Sequence, residues 1–137
     1  MLNLLRGILS TMVISSVLAD QRADDEVKEL VNMTSFGLND TYKMYSGMLN
    51  VSTANNKSLH YIFAESQDNK TNDPLILWFN GGPGCSSMLA FMQEHGPWVM
   101  DDGDETFHEN PYSWNTNASV LYIEMPAGVG FSFCDPK

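Results

Sequence analysis

Apolar and polar positions fall into blocks that predict an α/β arrangement. Residues 7–18 form one apolar stretch behind Arg6. In DDEVKELV (24–31) an acidic start precedes Val27, Leu30 and Val31, a spacing that predicts a short helix. Residues 45–51 and 59–64 read as two strands around an Asn/Ser/Lys-rich turn at 54–58, a predicted hairpin. The run LILWF (75–79) is continuously apolar and predicts a strand buried on both faces. It halts at Asn80-Gly81-Gly82-Pro83-Gly84. Apolar residues at Met88, Leu89, Phe91 and Met92 then predict a helix over 85–95, ended by Gly96-Pro97. Residues 99–110 are acidic and irregular and read as a solvated loop. SVLYIE (119–124) predicts a second buried strand, stopped by Pro126 and the small-residue turn at 127–130. Hairpin, buried strand, helix, buried strand is the opening of an α/β sandwich.

Composition narrows the function. With 137 residues, 43% of them hydrophobic, the chain is long enough for one small domain. Seven Lys and Arg against a net charge of -10 speak against binding a nucleic acid backbone. Residues 1–19 have the layout of a secretory signal peptide, with Arg6 before the apolar stretch and a cleavage site after Ala19. A membrane anchor and a buried N-terminal helix are the alternatives, although the run is short for a bilayer span. Sequons at Asn32, Asn39, Asn50, Asn56, Asn69 and Asn117 agree with passage through the ER and predict glycosylated surface loops. Cys85 and Cys134 are able to pair with each other or with partners elsewhere, and no spacing resembles a metal site. Residues 20–43 read as an N-terminal helix and loop.

The sharpest chemistry lies at the glycine turn. A strand running straight into Gly81 and Gly82 exposes backbone N–H groups at the carboxyl end of a sheet, where open α/β folds bind ligands. Without side chains there, an anion approaches the backbone closely, and a helix starting near Ser86 adds a favourable dipole. A turn of this composition is often only a tight turn. Two other motifs fail. Gly84-Cys85-Ser86 begins like a nucleophile elbow, but Met88 stands where its second glycine belongs. Gly128-Val129-Gly130 begins like a dinucleotide fingerprint, but Phe133 replaces the third glycine.

DPLILWFNGGPGCSS (73–87) resembles the serine carboxypeptidase family. So do Tyr45-Ser46-Gly47, LHYIFAES (59–66), Glu94-His95-Gly96-Pro97 and NPYSWNTNASVLYIEMPAGVGFS (110–132), in that family's order and spacing. The likeness implies that residues 44–137 are the N-terminal part of an α/β-hydrolase domain with an incomplete sheet. It implies a serine-type carboxypeptidase that releases C-terminal residues from peptides at acidic pH, with no cofactor, in a lysosomal, vacuolar or extracellular setting. The Gly82 N–H would be one oxyanion-hole donor. The Asn80 side chain and the Gly81 N–H would bind the substrate's terminal carboxylate, with Glu94 alongside and Trp78 bracing the network. Glu94 beside a carboxylate is a like-charge pair, so one of the two must hold a proton.

The resemblance also implies a disulfide from Cys85 to a cysteine far downstream. At Cys134 the family has a small polar residue, and a bridge or a sequence boundary would each account for the departure. The family's nucleophile, in Gly-Glu-Ser-Tyr, its Asp and His, and its second oxyanion donor are not among these 137 residues. His60, His95 and His108 match none of them and read as surface or structural. The expectation is therefore an N-terminal portion with no peptidase activity of its own and poor stability, because its buried strands lack neighbours. The rivals are a secreted non-catalytic binding glycoprotein and a carboxypeptidase-like acyltransferase; Asn80 and Glu94 favour the peptidase. The expected partner is the C-terminus of a peptide, with no nucleic acid and no stable membrane anchor.

Overall fold

Two adjacent strands in the first half of the chain pair as the hairpin that the sequence predicts. Met44–Ser52 (β1) and Lys57–Ala64 (β2) pair antiparallel, from Met44 opposite Ala64 to Leu49 opposite Leu59. The structure is a computed structural model and describes residues 24–27, 42–52, 56–103 and 105–135. The signal-peptide segment, most of the N-terminal helix and loop, Asn32 and Asn39 lie outside the described residues.

Leu75–Trp78 (β3), Trp98–Val99 (β4), His108–Glu109 (β5) and Ser119–Ile123 (β6) follow. The main sheet has the order β1-β2-β6-β3, with β6 antiparallel to β2 and parallel to β3. A parallel pair needs a crossover, and residues 79–118 supply it across one face. Central β6 is the best-buried strand, with Val120 and Tyr122 at 0% exposure. Met44, Ala64, Met88, Ala90, Phe91, Trp98, Val120 and Tyr122 make the core under that crossover. Each large apolar side chain buried there contributes roughly 1.5–3 kcal/mol.

Three expectations need correction. β3 is not buried on both faces: Ile76 and Trp78 pack on the core, while Leu75 and Leu77 are 63% and 51% exposed. A continuous apolar run signals two covering layers, and the described residues provide one. The helix over 85–95 is shorter than predicted. Helical residues run from 88 to 94, and Ala90–Glu94 widens into a π-helical turn in which His95 N and Gly96 N both donate to Ala90 O. The Ser86 Oγ accepts from Met88 N at 3.1 Å, where the helical residues begin. So short a helix adds little dipole at the glycine turn. Third, the loop at 99–110 is framed by a small hairpin, β4 paired antiparallel with β5.

Near the N-terminus, Asp24 and Asp25 are helical but Glu26 already bridges Tyr45. The Val27 N donates to Met44 O at 2.9 Å, so residues 26 and 27 pair with β1 where the sequence predicts helix; residues 28–31 of that prediction lie outside the described residues.

Candidate carboxylate and oxyanion corner

The end of β3 carries Trp78 and hands the chain to the glycine turn. There the Trp78 Nε1 donates to Asn80 Oδ1 at 2.9 Å. An indole nitrogen is a donor only, so this bond settles which end of the Asn80 amide faces it. The amide NH₂ is thereby presented away from the indole, suited to a carboxylate. The Asn80 N donates to Ser87 Oγ at 3.1 Å, and Ser87 Oγ donates to Ile123 O at 2.6 Å. Fully buried Ser87 thus pins the turn to the end of β6. Nothing in the sequence patterning singled out Ser87; its position beside a helix start in a small-residue run was the available signal.

Gly81 and Gly82 are exposed. Gly82 has φ +130, and a Cβ there would lie 2.9 Å from Cys85 Sγ and 3.0 Å from Cys85 N. Only glycine holds this turn unstrained, and the turn keeps its backbone open to an anion. The Gly81 O accepts from Cys85 N at 3.2 Å and closes it. Cys85 and Cys134 are both exposed and free, so the pairing between them that the sequence left open is not formed.

Glu94 stands at the end of the π-helical turn with its side chain 55% exposed and its Oε2 4.0 Å from His95 Nε2. Asn110 ties this segment down by donating to Glu94 O and Gly96 O. Behind it lies an aromatic group. His95 stacks on Trp114 (centroids 4.0 Å, 12°), meets the Trp78 edge at 4.5 Å, and reaches Tyr122 OH through Nδ1 at 3.2 Å. Trp78 and Trp114 pack edge to face at 5.4 Å. Burial holds the His95 imidazole below its ordinary 6.5, against the opposing pull of Glu94. Trp114 and Tyr122 were legible only as apolar positions in the sequence; their convergence on Trp78 and His95 is tertiary.

A second polar centre lies below the turn. Fully buried Glu124 accepts from Phe131 N at 2.8 Å and from Ser86 Oγ, and its Oε2 is 3.0 Å from His60 Nδ1. It joins the glycine turn, the hairpin and the 126–132 segment. The sequence reading placed His60 among structural or surface residues; it is structural and buried.

Asn50, Asn56, Asn69 and Asn117 are exposed. His108 is exposed and 3.8 Å from Asp101. A hollow of about 470 Å³ is lined by Tyr42, Gln67, Trp98, Glu109 and Asn110 among others, and by none of the glycine-turn residues. Among the described residues, no group of three or more His, Cys, Asp or Glu is placed to hold a metal ion. None of the helices described is long and apolar enough to cross a membrane.

Parallel β3 and β6 with an antiparallel hairpin beside them, and a glycine turn at the carboxyl end of β3, define a partial α/β-hydrolase fold. The serine carboxypeptidase family model matches residues 35–137, and the chain belongs to that family. The mouse (Mus musculus) lysosomal protective protein is 41% identical over 133 residues, covering 97% of this chain and 27% of the relative. Carboxypeptidase Y homolog A of Pyricularia oryzae is 49% identical over 94 residues, covering 69% of this chain and 17% of the relative. The crystal structure of a prohormone-processing carboxypeptidase from Saccharomyces cerevisiae superimposes with a TM-score of 0.60 at 30% identity, over 68% of this chain and 21% of that one. The chain therefore spans about a quarter or less of the length of these relatives.

Proposed function

We propose that this chain supplies the substrate-carboxylate and oxyanion half of a serine-type carboxypeptidase that removes C-terminal residues from peptides. The observation that carries this reading is the Trp78–Asn80 bond at 2.9 Å, in which Oδ1 takes the indole N–H and the amide NH₂ is left to donate elsewhere. Gly81 N–H and that amide bind the terminal carboxylate, and Glu94 shares one proton with it. Gly82 N–H stabilises the negative charge that develops on the scissile carbonyl. The nucleophile, base and orienter come from sequence other than these 137 residues, so the chain alone performs no covalent step. Acidic pH favours the reaction because the Glu94–carboxylate pair needs its proton. The leader and sequons support synthesis through the secretory pathway, with a lysosomal, vacuolar or extracellular destination.

The test is a comparison of two preparations on a blocked dipeptide: the longest form the transcript encodes, and residues 1–137 alone. The long form is expected to release the C-terminal residue, more slowly as the pH is raised to neutral, with loss of activity after a serine-reactive inhibitor. Residues 1–137 are expected to be inert. Inhibitor-sensitive turnover by residues 1–137 would refute the division of labour. A long form that hydrolyses the C-terminal amide as readily as the free acid would refute the carboxylate site.

A further inference from the structure

Among the described residues, one ring nitrogen of His95 has no hydrogen-bond partner. Its side chain is 9% exposed, yet Nε2 meets no hydrogen-bond partner among the described residues, and the nearest carboxylate oxygen is Glu94 Oε2 at 4.0 Å. A buried polar atom left unpaired carries a penalty of about 1–3 kcal/mol, so its retention calls for a partner. Every other face of the ring is held. Trp114 stacks on it, Trp78 meets it edge to face, and Nδ1 lies 3.2 Å from the Tyr122 hydroxyl. The imidazole is thus rigid and its free nitrogen faces the one flexible, half-exposed carboxyl nearby.

We propose that His95 is a positioning residue whose Nε2 hydrogen-bonds the Glu94 carboxyl when a substrate carboxylate is bound, fixing that carboxyl against it. The inference rests on the reading of Glu94 as part of the carboxylate site. Closing 4.0 Å to hydrogen-bond distance requires only rotation of the exposed Glu94 side chain, a tightening expected on complex formation.

The Tyr122 hydroxyl makes the arrangement serve both protonation states of Glu94. It reaches His95 O at 3.4 Å as well as Nδ1 at 3.2 Å. When it donates to His95 O, Nδ1–H donates to the phenolic oxygen and Nε2 is an acceptor for a protonated Glu94. When it donates to Nδ1, Nε2 carries the hydrogen and donates to an ionised Glu94. The proton shared between Glu94 and the substrate can then sit on either carboxyl without leaving Nε2 unpaired. Glu94 and Tyr122 are the titratable groups that meet the ring; β3 and the Trp114 turn present only indoles to it.

The experiment titrates the longest form the transcript encodes with a blocked dipeptide acid and with its C-terminal amide, between pH 4.5 and 7. Wild-type protein, His95→Phe and His95→Gln are compared. Phe keeps the stacking and removes Nε2, and the expected result is about a tenfold loss of affinity for the acid with little change for the amide. Gln, which can donate or accept, is expected to recover part of the loss. A role confined to packing would lower thermal stability and weaken both ligands alike. In wild-type protein labelled with ¹⁵N-histidine, the His95 Nε2 resonance is expected to move on adding the acid and not the amide. That measurement stands even where His95→Phe does not fold. An unchanged acid preference in His95→Phe, or an Nε2 resonance indifferent to bound acid, overturns the inference. Equal binding of acid and amide by the wild type instead removes the carboxylate-site reading, and this inference with it.

Discussion

Glu124 Oε2 lies 3.0 Å from His60 Nδ1 in an interior where Glu124 is 0% and His60 8% exposed. His60 Nε2 in turn lies 3.0 Å from Ser46 Oγ on β1. This contact crosses the sheet from β1 to the chain beyond β6, and Glu124 extends it to Ser86 at the glycine turn and Phe131 N. Glu124 is therefore the fastener between the hairpin and the candidate site.

Replacing Glu124 by Ala is expected to destabilise the protein by about 3–5 kcal/mol, since it strands the buried donors that converge there. His60→Leu leaves Glu124 with its other partners and should be the milder change. Denaturant midpoints of the two variants measure the order; a Glu124→Ala protein as stable as wild type would mean the centre is wet or loosely packed.

Gly82→Ala places a methyl group against Cys85 at a backbone φ of +130. Strain of this kind amounts to about 1–3 kcal/mol. The turn is expected to reshape, and under the proposed function kcat of the longest form the transcript encodes falls while its melting temperature changes little. A purely structural glycine would show loss of stability with kcat per folded molecule intact.

Trp78→Phe retains a ring against His95 and Trp114 but removes the donor to Asn80. The Asn80 amide is then free to flip, and KM for a free-acid substrate is expected to rise about three- to tenfold, as for the loss of one neutral hydrogen bond. Steady-state kinetics on acid and amide substrates checks it, because only the acid should be affected.

Stability is expected to fall as pH drops below 6.5, partly through His95. Burial lowers its folded-state pKa below the unfolded 6.5, so the unfolded chain binds the proton first. Its contribution is intact above 6.5 and lost progressively as pH falls toward the lower folded value. Asp73 adds a second window at lower pH: the Ser66 hydroxyl and then the Asn69 N–H hold its carboxyl below 3.8, and that contribution disappears as pH falls through this range. Thermal unfolding of wild type and His95→Gln from about pH 2 to 7.5 separates the two, the variant losing only the upper slope.

The strand and the glycine turn that frame the candidate site were legible as a string because they are local. The strand LILW and the glycine turn follow from residues adjacent in sequence, where the absence of a Cβ or a run of apolar residues acts directly on the backbone. Helix length was misread. Met88, Leu89, Phe91 and Met92 satisfy a helical period, but Cys85 N is spent closing the glycine turn on Gly81 O, so the helix starts only at Met88, and its last five residues widen into a π-helical turn. Strand β3 was misjudged because its composition announces burial while exposure depends on which layers are present.

The sequence by itself determined the hairpin, the two later strands along the chain, the glycine turn and the family, since turn chemistry and motif spacing are properties of neighbouring residues. Only the tertiary structure decided that Trp78 orients Asn80, that His95 stands behind Glu94 between two indoles, and that Glu124 is buried with His60. Those relationships join residues up to 64 positions apart, through sheet pairing and a crossover whose packing no local pattern encodes.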